Sequence, residues 1–180
     1  MPQPILRTSR LLLMPLADRH LHLEIALDSD PEVMRFVGGV ASREETVAAH
    51  GRRLAHAERV DGLGFWAAYD DDEFVGLAWV PPAHGPDQPS DLTVCDLGYR
   101  LLRRWWGNGY ATEASRALLE HAFGTVGQSR VIAQTLTDNA ASRAVMERLG
   151  MRYVRTYRSE RDTEVEYELT REGWKESSAG

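Results

Sequence analysis

LGYRLLRRWWGNGYATEA, residues 97–114, decides how this chain is read. Residues 92–101 alternate well enough for a strand, and Ala111, Ala114, Leu118 and Ala122 fall at helical spacing between Tyr110 and Phe123. Gly107 and Gly109 lie between the two. A strand that passes through a glycine turn straight into a helix favours anions: glycine lets the backbone come close to a ligand, and the helix's first N–H groups, with its dipole, suit a pyrophosphate. The plainer alternative is a tight connection that binds nothing, and two glycines alone do not separate the readings. No Gly-Lys-Ser/Thr follows, so this is not a Walker P-loop. The third glycine and early βαβ placement of a dinucleotide fingerprint are also missing.

Upstream, the run LLLMP reads as a strand stopped by Pro15, and Asp18 offers an N-cap for a helix carrying Leu21 and Ile25. Asp30 with Pro31 opens a short helix through Phe36, ended by Gly38 and Gly39, and Ser42 with Glu45 makes a capping box for a helix to about Arg59. Strands over 65–69 and 74–77 flank the acidic turn DDDE. PPAHGPDQPSD holds four of the eight prolines and reads as a surface loop that cannot continue a ladder. Downstream, Gly124 is placed to end the long helix. A strand over 130–136, a helix over 139–149 ended by Gly150, and strands over 151–158 and 164–169 follow. The expected fold class is α/β (α+β): a mixed, mostly antiparallel central sheet flanked by helices, in one domain over 1–180.

A net charge of −6 argues against a protein that grips nucleic-acid backbone, while leaving room for a local patch that binds one phosphate-rich small molecule. The single cysteine, Cys95, makes no internal disulfide, and the start MPQPILRTSR has neither a signal-peptide core nor a lipidation motif; both point to the cytoplasm. No apolar run approaches the roughly 20 residues that span a bilayer, so no membrane partner is expected. The six histidines lack metal-ligand spacing, and no metal is expected.

WGNGYA, Trp106 to Ala111, resembles the acetyl-CoA pattern Gln/Arg-x-x-Gly-x-Gly/Ala of the GNAT superfamily of N-acyltransferases. Trp106 stands where Gln or Arg is usual; with the ATEA that follows, this is similar to the branch named for ribosomal-protein N-terminal acetyltransferases. A register from Arg104 also satisfies the pattern, but the Trp106 register puts small Ala111 at the helix start. DPEVMRFVGG (30–39) resembles the branch's N-terminal helix segment, and NAASRAVMERLGM (139–151) the superfamily's later helix. The likeness covers about residues 5–170.

This resemblance implies that the strands over 97–101 and 130–136 splay apart, so that pantetheine binds as an added strand. It implies acetyl-CoA as co-substrate, without metal, held by Leu101, Arg104, Trp106, Gly107, Asn108, Gly109, Tyr110, Ala111, Thr112 and Asn139. The Leu101 N–H would meet the thioester oxygen, Arg104 the phosphates and Asn139 the pantetheine arm. The partner is a primary amine, either a protein or peptide N-terminus or a small molecule, acetylated by direct attack in a ternary complex by a monomer or homodimer. An amine with a pKa of roughly 10 must lose a proton before attack, and the departing thiolate must gain one. Met146 stands where many members have an acidic tyrosine; Ser142, one turn earlier, is the candidate acid, directly or through water, or else a capping or packing residue. Asp96 is the candidate base, although plain strand parity turns it away from Leu97 and Leu101; Glu160 is the runner-up, and Gln134 replaces a glutamate of some relatives. His84 is a surface residue or a substrate contact. Phe36, Phe65 and Trp66 are core or, for one or two of them, acceptor-pocket walls. Two alternatives stand beside this reading: another acyl-CoA such as succinyl-CoA, or a non-catalytic CoA-binding sensor.

Overall fold

A computed structural model describes residues 2–85, 87–160 and 162–178; Met1, Pro86 in the proline-rich loop, Arg161, Ala179 and Gly180 lie outside the described residues. The N-terminal half builds an antiparallel sheet from β1 (Leu6–Arg7), β2 (Leu11–Pro15), β3 (Phe65–Asp70) and β4 (Glu73–Trp79). Asp71 takes φ 49° in the β3–β4 turn, a left-handed conformation that Asp tolerates better than most residues. Between β2 and β3 lie α1 (Leu21–Asp28), α2 (Pro31–Met34) and α3 (Arg43–Ala57). Asp30 caps α2, and Ser42 with Glu45 closes the capping box of α3. Asp18 does not cap α1: it opens a single 3₁₀ turn, Asp18–His20, before the helix starts at Leu21. α2 also stops at Met34, short of Phe36.

Residues 92–101 are two strands rather than one. β5 (Val94–Asp96) pairs in parallel with β7 (Arg130–Leu136), whereas β6 (Gly98–Leu101) pairs antiparallel with β4. Leu97 is the break, and its N–H still reaches Ile132 C=O at 2.8 Å. Beyond that bond β6 and β7 part into different sheets, as the family likeness implied. Gly98 allows the divergence: a Cβ there would sit 2.2 Å from the Trp79 ring that lies across it. The second sheet runs β5-β7-β9-β8, with β8 (Arg152–Arg158) and β9 (Thr163–Thr170). The proline-rich segment does continue a ladder at its start, because a proline keeps its carbonyl. Pro81 C=O accepts from Asp96 N–H at 2.9 Å, and Ala83 N–H donates to Val94 C=O at 2.8 Å.

α4 (Tyr110–Glu120) and α5 (Ala140–Arg148) pack beside the junction, and one core cluster that includes Trp66, Leu118, Val131 and Tyr167 joins both sheets to α4. α4 does not stop at Gly124. It widens into a π-helical turn over His121–Val126, ended by Gly127 at φ 85°, so Gly127 is the terminating glycine. α6 (Arg171–Ser178), which the sequence reading left out, closes the described chain.

Candidate active site

The gap between β6 and β7 presents unpaired backbone. Leu102 N–H donates to Val75 C=O at 3.0 Å, so the alternation of an antiparallel ladder turns the N–H and C=O groups of Leu101 and Tyr99 away from β4 and into the gap. Leu101 C=O is taken by the Trp106 indole at 2.8 Å, leaving its N–H as the donor on that edge. Across the gap, the amide of Asn139 caps α5, accepting from Ser142 N–H at 3.2 Å while its NH₂ group donates to Thr135 at 3.0 Å. The Tyr99 and Ser142 hydroxyls lie 3.0 Å apart, and Tyr99 also donates to Ser142 C=O at 3.1 Å. Burial pushes the Tyr99 phenol up to about 12, so it stays protonated.

At the end of β6 the chain makes one 3₁₀ turn and then the glycine turn, with Gly107 and Gly109 in left-handed conformations at φ 75° and 81°. The first intrahelical bond of α4 is Glu113 N–H to Gly109 C=O, so the N–H groups of Tyr110, Ala111 and Thr112 open on the turn. Nothing comes within 4 Å of a Cβ placed on Gly107. The turn is braced from the β1–β2 connection: Arg10 donates to Asn108 C=O at 3.0 Å, pairs with Glu113 at 2.6 Å and lies over the Tyr110 ring at 4.1 Å. Tyr110 in turn donates to Asp70. A cavity of about 440 Å³ follows this route, lined by Phe36, Tyr99, Leu101, Trp106, Gly107, Gly109, Tyr110, Ala111, Thr112, Asn139, Ser142 and Arg148 among others. These features fit a pyrophosphate-bearing thioester: open N–H groups at a helix start, then an unpaired strand edge, then hydroxyls.

A second cavity, of about 700 Å³, lies against α3 and is lined by Phe65, Trp79, His56, His84 and Asp96, with Arg52, Arg53 and Arg59. The two cavities share Val37 and Arg100. Arg100 is buried and meets Asp28 at 2.9 Å; Asp28 lies beside Arg53, which pairs with buried Glu24. Burial draws the Arg100 guanidinium down to about 10, with Asp28 opposing, which leaves it charged at neutral pH.

Strand parity carries across the Leu97 break: Asp96 lines the larger cavity together with Arg100, while Leu101 and Tyr99 line the smaller one. Glu160 is exposed in the β8–β9 turn and lines neither. Arg104 points outward, 58% exposed, and meets Glu73 at 3.3 Å. Gln134 joins Gln88 to Glu166, at 3.0 and 2.7 Å, and so holds the proline-rich loop against the second sheet. Phe65 and His84 wall the larger cavity and Phe36 the smaller, while Trp66 is core. Sequence reasoning missed Arg10, Tyr99 and Arg148. Only Tyr99 carried a signal, two residues before Leu101 and therefore on the same face of the strand.

The model of the acetyltransferase (GNAT) domain matches residues 10–152. The chain is 39% identical to the FsC-acetyl coenzyme A-N(2)-transacetylase of Aspergillus fumigatus, across 96% of this chain and 78% of that one. The crystal structure of the acetyltransferase from Agrobacterium tumefaciens matches with a TM-score of 0.79 at 28% identity, over 94% of this chain and 95% of that one. RimL, the ribosomal L7/L12 alpha-N-protein acetyltransferase in complex with coenzyme A, matches with a TM-score of 0.78 over 93% of this chain and 98% of that one. At 17% identity, RimL shows a shared fold and no more. Sequence and fold therefore agree: the chain belongs to the GNAT family and is an N-acetyltransferase.

Proposed function

We propose that the chain, as one acetyltransferase domain over 1–180, moves acetyl from acetyl-CoA directly to the amine of a small molecule. The observation that carries this reading is that two cavities share Val37 and Arg100 in their walls, one running along the glycine turn and the β6 edge, the other reaching Asp96. Pyrophosphate sits on the N–H groups that follow Gly109, pantetheine runs along β6 with Asn139 beside it, and the thioester oxygen takes the Leu101 N–H. Asp96 receives one proton of the acceptor ammonium, directly or through water; the neutral nitrogen attacks the thioester carbon, and as the C–S bond breaks the nitrogen gives up its second proton, which water passes to the departing thiolate. A phenol near 12 is a weak acid beside a thiol of roughly 8.5. Ser142 and Tyr99 therefore stabilise the thiolate as hydrogen-bond donors, and water completes its protonation. Glu160, outside both cavities, has no part in this scheme, and Arg104 serves only the outer phosphate.

A small-molecule acceptor follows the relative whose name specifies N(2) transfer from acetyl coenzyme A, rather than the ribosomal enzyme, which is alike in fold alone. The scheme needs one copy of the chain, so it holds for a monomer or a homodimer, and the lone buried cysteine agrees with a cytoplasmic setting. CoA release measured over acetyl-, propionyl- and succinyl-CoA with a panel of small amines tests the proposal. Fastest release with acetyl-CoA, coupled to an acetylated amine, is expected. Preference for succinyl-CoA, or CoA binding with no transfer to any amine, would overturn it.

A further inference from the structure

The larger cavity carries a charge pattern that narrows the acceptor. Four arginines line it against one carboxylate, Asp96. Two of the four are already engaged, Arg100 with Asp28 and Arg53 with Glu24. Arg52 and Arg59 have no acidic partner among the described residues. They stand seven positions apart in and just past α3, two turns on one face, with His56 one turn before Arg59. His56 Nε2 donates to Pro82 C=O at 2.9 Å, which leaves Nδ1 as the lone-pair side of the ring, and that side faces the Arg59 guanidinium at 3.5 Å. The ring also packs against His84, with centroids 4.0 Å apart and the planes tilted by 40°. One wall of the cavity therefore holds two uncompensated guanidinium groups, and another holds the carboxylate assigned to the reacting amine. The Phe65 and Trp79 rings, 6.1 Å apart, give the same cavity apolar lining.

We propose that the acceptor is a dipolar small molecule: a primary amine joined through an apolar body to a carboxylate, with the carboxylate bound by Arg52 and Arg59 and the amine directed to Asp96. This rests on the transfer reading above and adds the chemical class of its acceptor. Against a net charge of −6 for the chain, Arg52 and Arg59, both exposed, add local positive charge at this cavity that favours an anion. Guanidinium groups match a carboxylate in geometry as well as charge, and an uncharged amide in its place forfeits the charge-assisted bonds.

Initial rates with acetyl-CoA are measured for two matched pairs, 4-(aminomethyl)benzoate against its carboxamide and 6-aminohexanoate against its carboxamide. In these pairs the amine lies far from the group that changes. The wild type should favour the carboxylate by roughly tenfold in kcat/KM, the scale of one charge-assisted hydrogen bond, mostly through KM. The double variant Arg52→Gln, Arg59→Gln should bring the ratio close to one, and Arg52→Lys, Arg59→Lys should restore part of it; a CoA-induced rise in melting temperature confirms that each variant is folded. Equal kcat/KM within both wild-type pairs, or a preference that survives the double Gln variant, overturns the acceptor class alone. CoA binding without CoA release from any of the four amines overturns the transfer reading itself.

Discussion

At Gly109 the backbone conformation and the proposed ligand contact depend on the same residue. Its φ of 81° suits glycine, and a Cβ there would meet Arg10 Nη2 at an ordinary 3.6 Å, so crowding is not the obstacle. Gly109→Val should cost about 1–3 kcal/mol in backbone strain and weaken CoA binding by tilting the N–H groups of Tyr110 to Thr112; calorimetry with CoA checks this, and unchanged affinity would make the turn purely structural. For Asp96→Asn, turnover near neutral pH should fall by roughly 10²–10⁴-fold with CoA binding intact. Raising the pH should recover part of the loss as more acceptor loses its proton unaided, a trend read from the pH–rate profile. His20 governs stability instead. It is buried, its Nδ1 accepts from Ala17 N–H at 3.1 Å, and burial with nearby cations lowers it from 6.5 to about 4. The folded value lies below the unfolded one, so the unfolded chain holds the proton between them; stability is full above about 6.5 and falls as the pH drops towards about 4, by at most about 1.4 kcal/mol per pH unit. Urea midpoints from pH 7 to 5 should decline more steeply for the wild type than for His20→Gln.

Among the elements, the proline-rich loop is held by side chains rather than by its own ladder alone. Gln88 Oε1 accepts from the N–H groups of His84 and Gly85, both at 2.8 Å, and its NH₂ group reaches Gln134; Arg155 ties Asp87 C=O to Glu166, at 2.9 Å each. This fixes His84 at the larger cavity. Gln88→Ala should raise the acceptor KM by about fivefold while CoA affinity is unchanged, as steady-state kinetics and calorimetry would show. Such cross-chain ties leave no mark in sequence, because Gln88, Gln134 and Glu166 are far apart and each reads as an ordinary polar residue. The glycine turn and the α3 capping box were legible, since cap and turn chemistry is local. The division of residues 92–101 was not: the alternation continues on either side of Leu97, and only Gly98, pressed by Trp79, marks the place where the chain changes sheets. Gly124 misled for a related reason. A glycine after a helical run reads as a stop, yet its φ is not positive, and the helix widens past it to Gly127.

At the scale of the molecule, the sheet break, the Arg100 ion pair and the Val37 segment set two cavities side by side, and the proposed direct transfer rests on that adjacency. The fold class and the glycine turn were legible because both follow from ordered local signals. The larger cavity, the proposed acceptor side, was not legible, because it draws Arg52 and Arg59 from the α3 region, Trp79 from β4, His84 from a loop and Asp96 from β5 into one space. Nor could the sequence reveal that Arg10, about a hundred residues away along the chain, braces the turn that includes Asn108. The central claim is that acetyl passes straight from thioester to amine while both substrates are bound. An initial-velocity study varying acetyl-CoA at several fixed concentrations of a small amine tests it most directly, with mass spectrometry of the protein after incubation with acetyl-CoA alone. Intersecting double-reciprocal lines and an unmodified chain are predicted; parallel lines with a chain heavier by one acetyl group would contradict it.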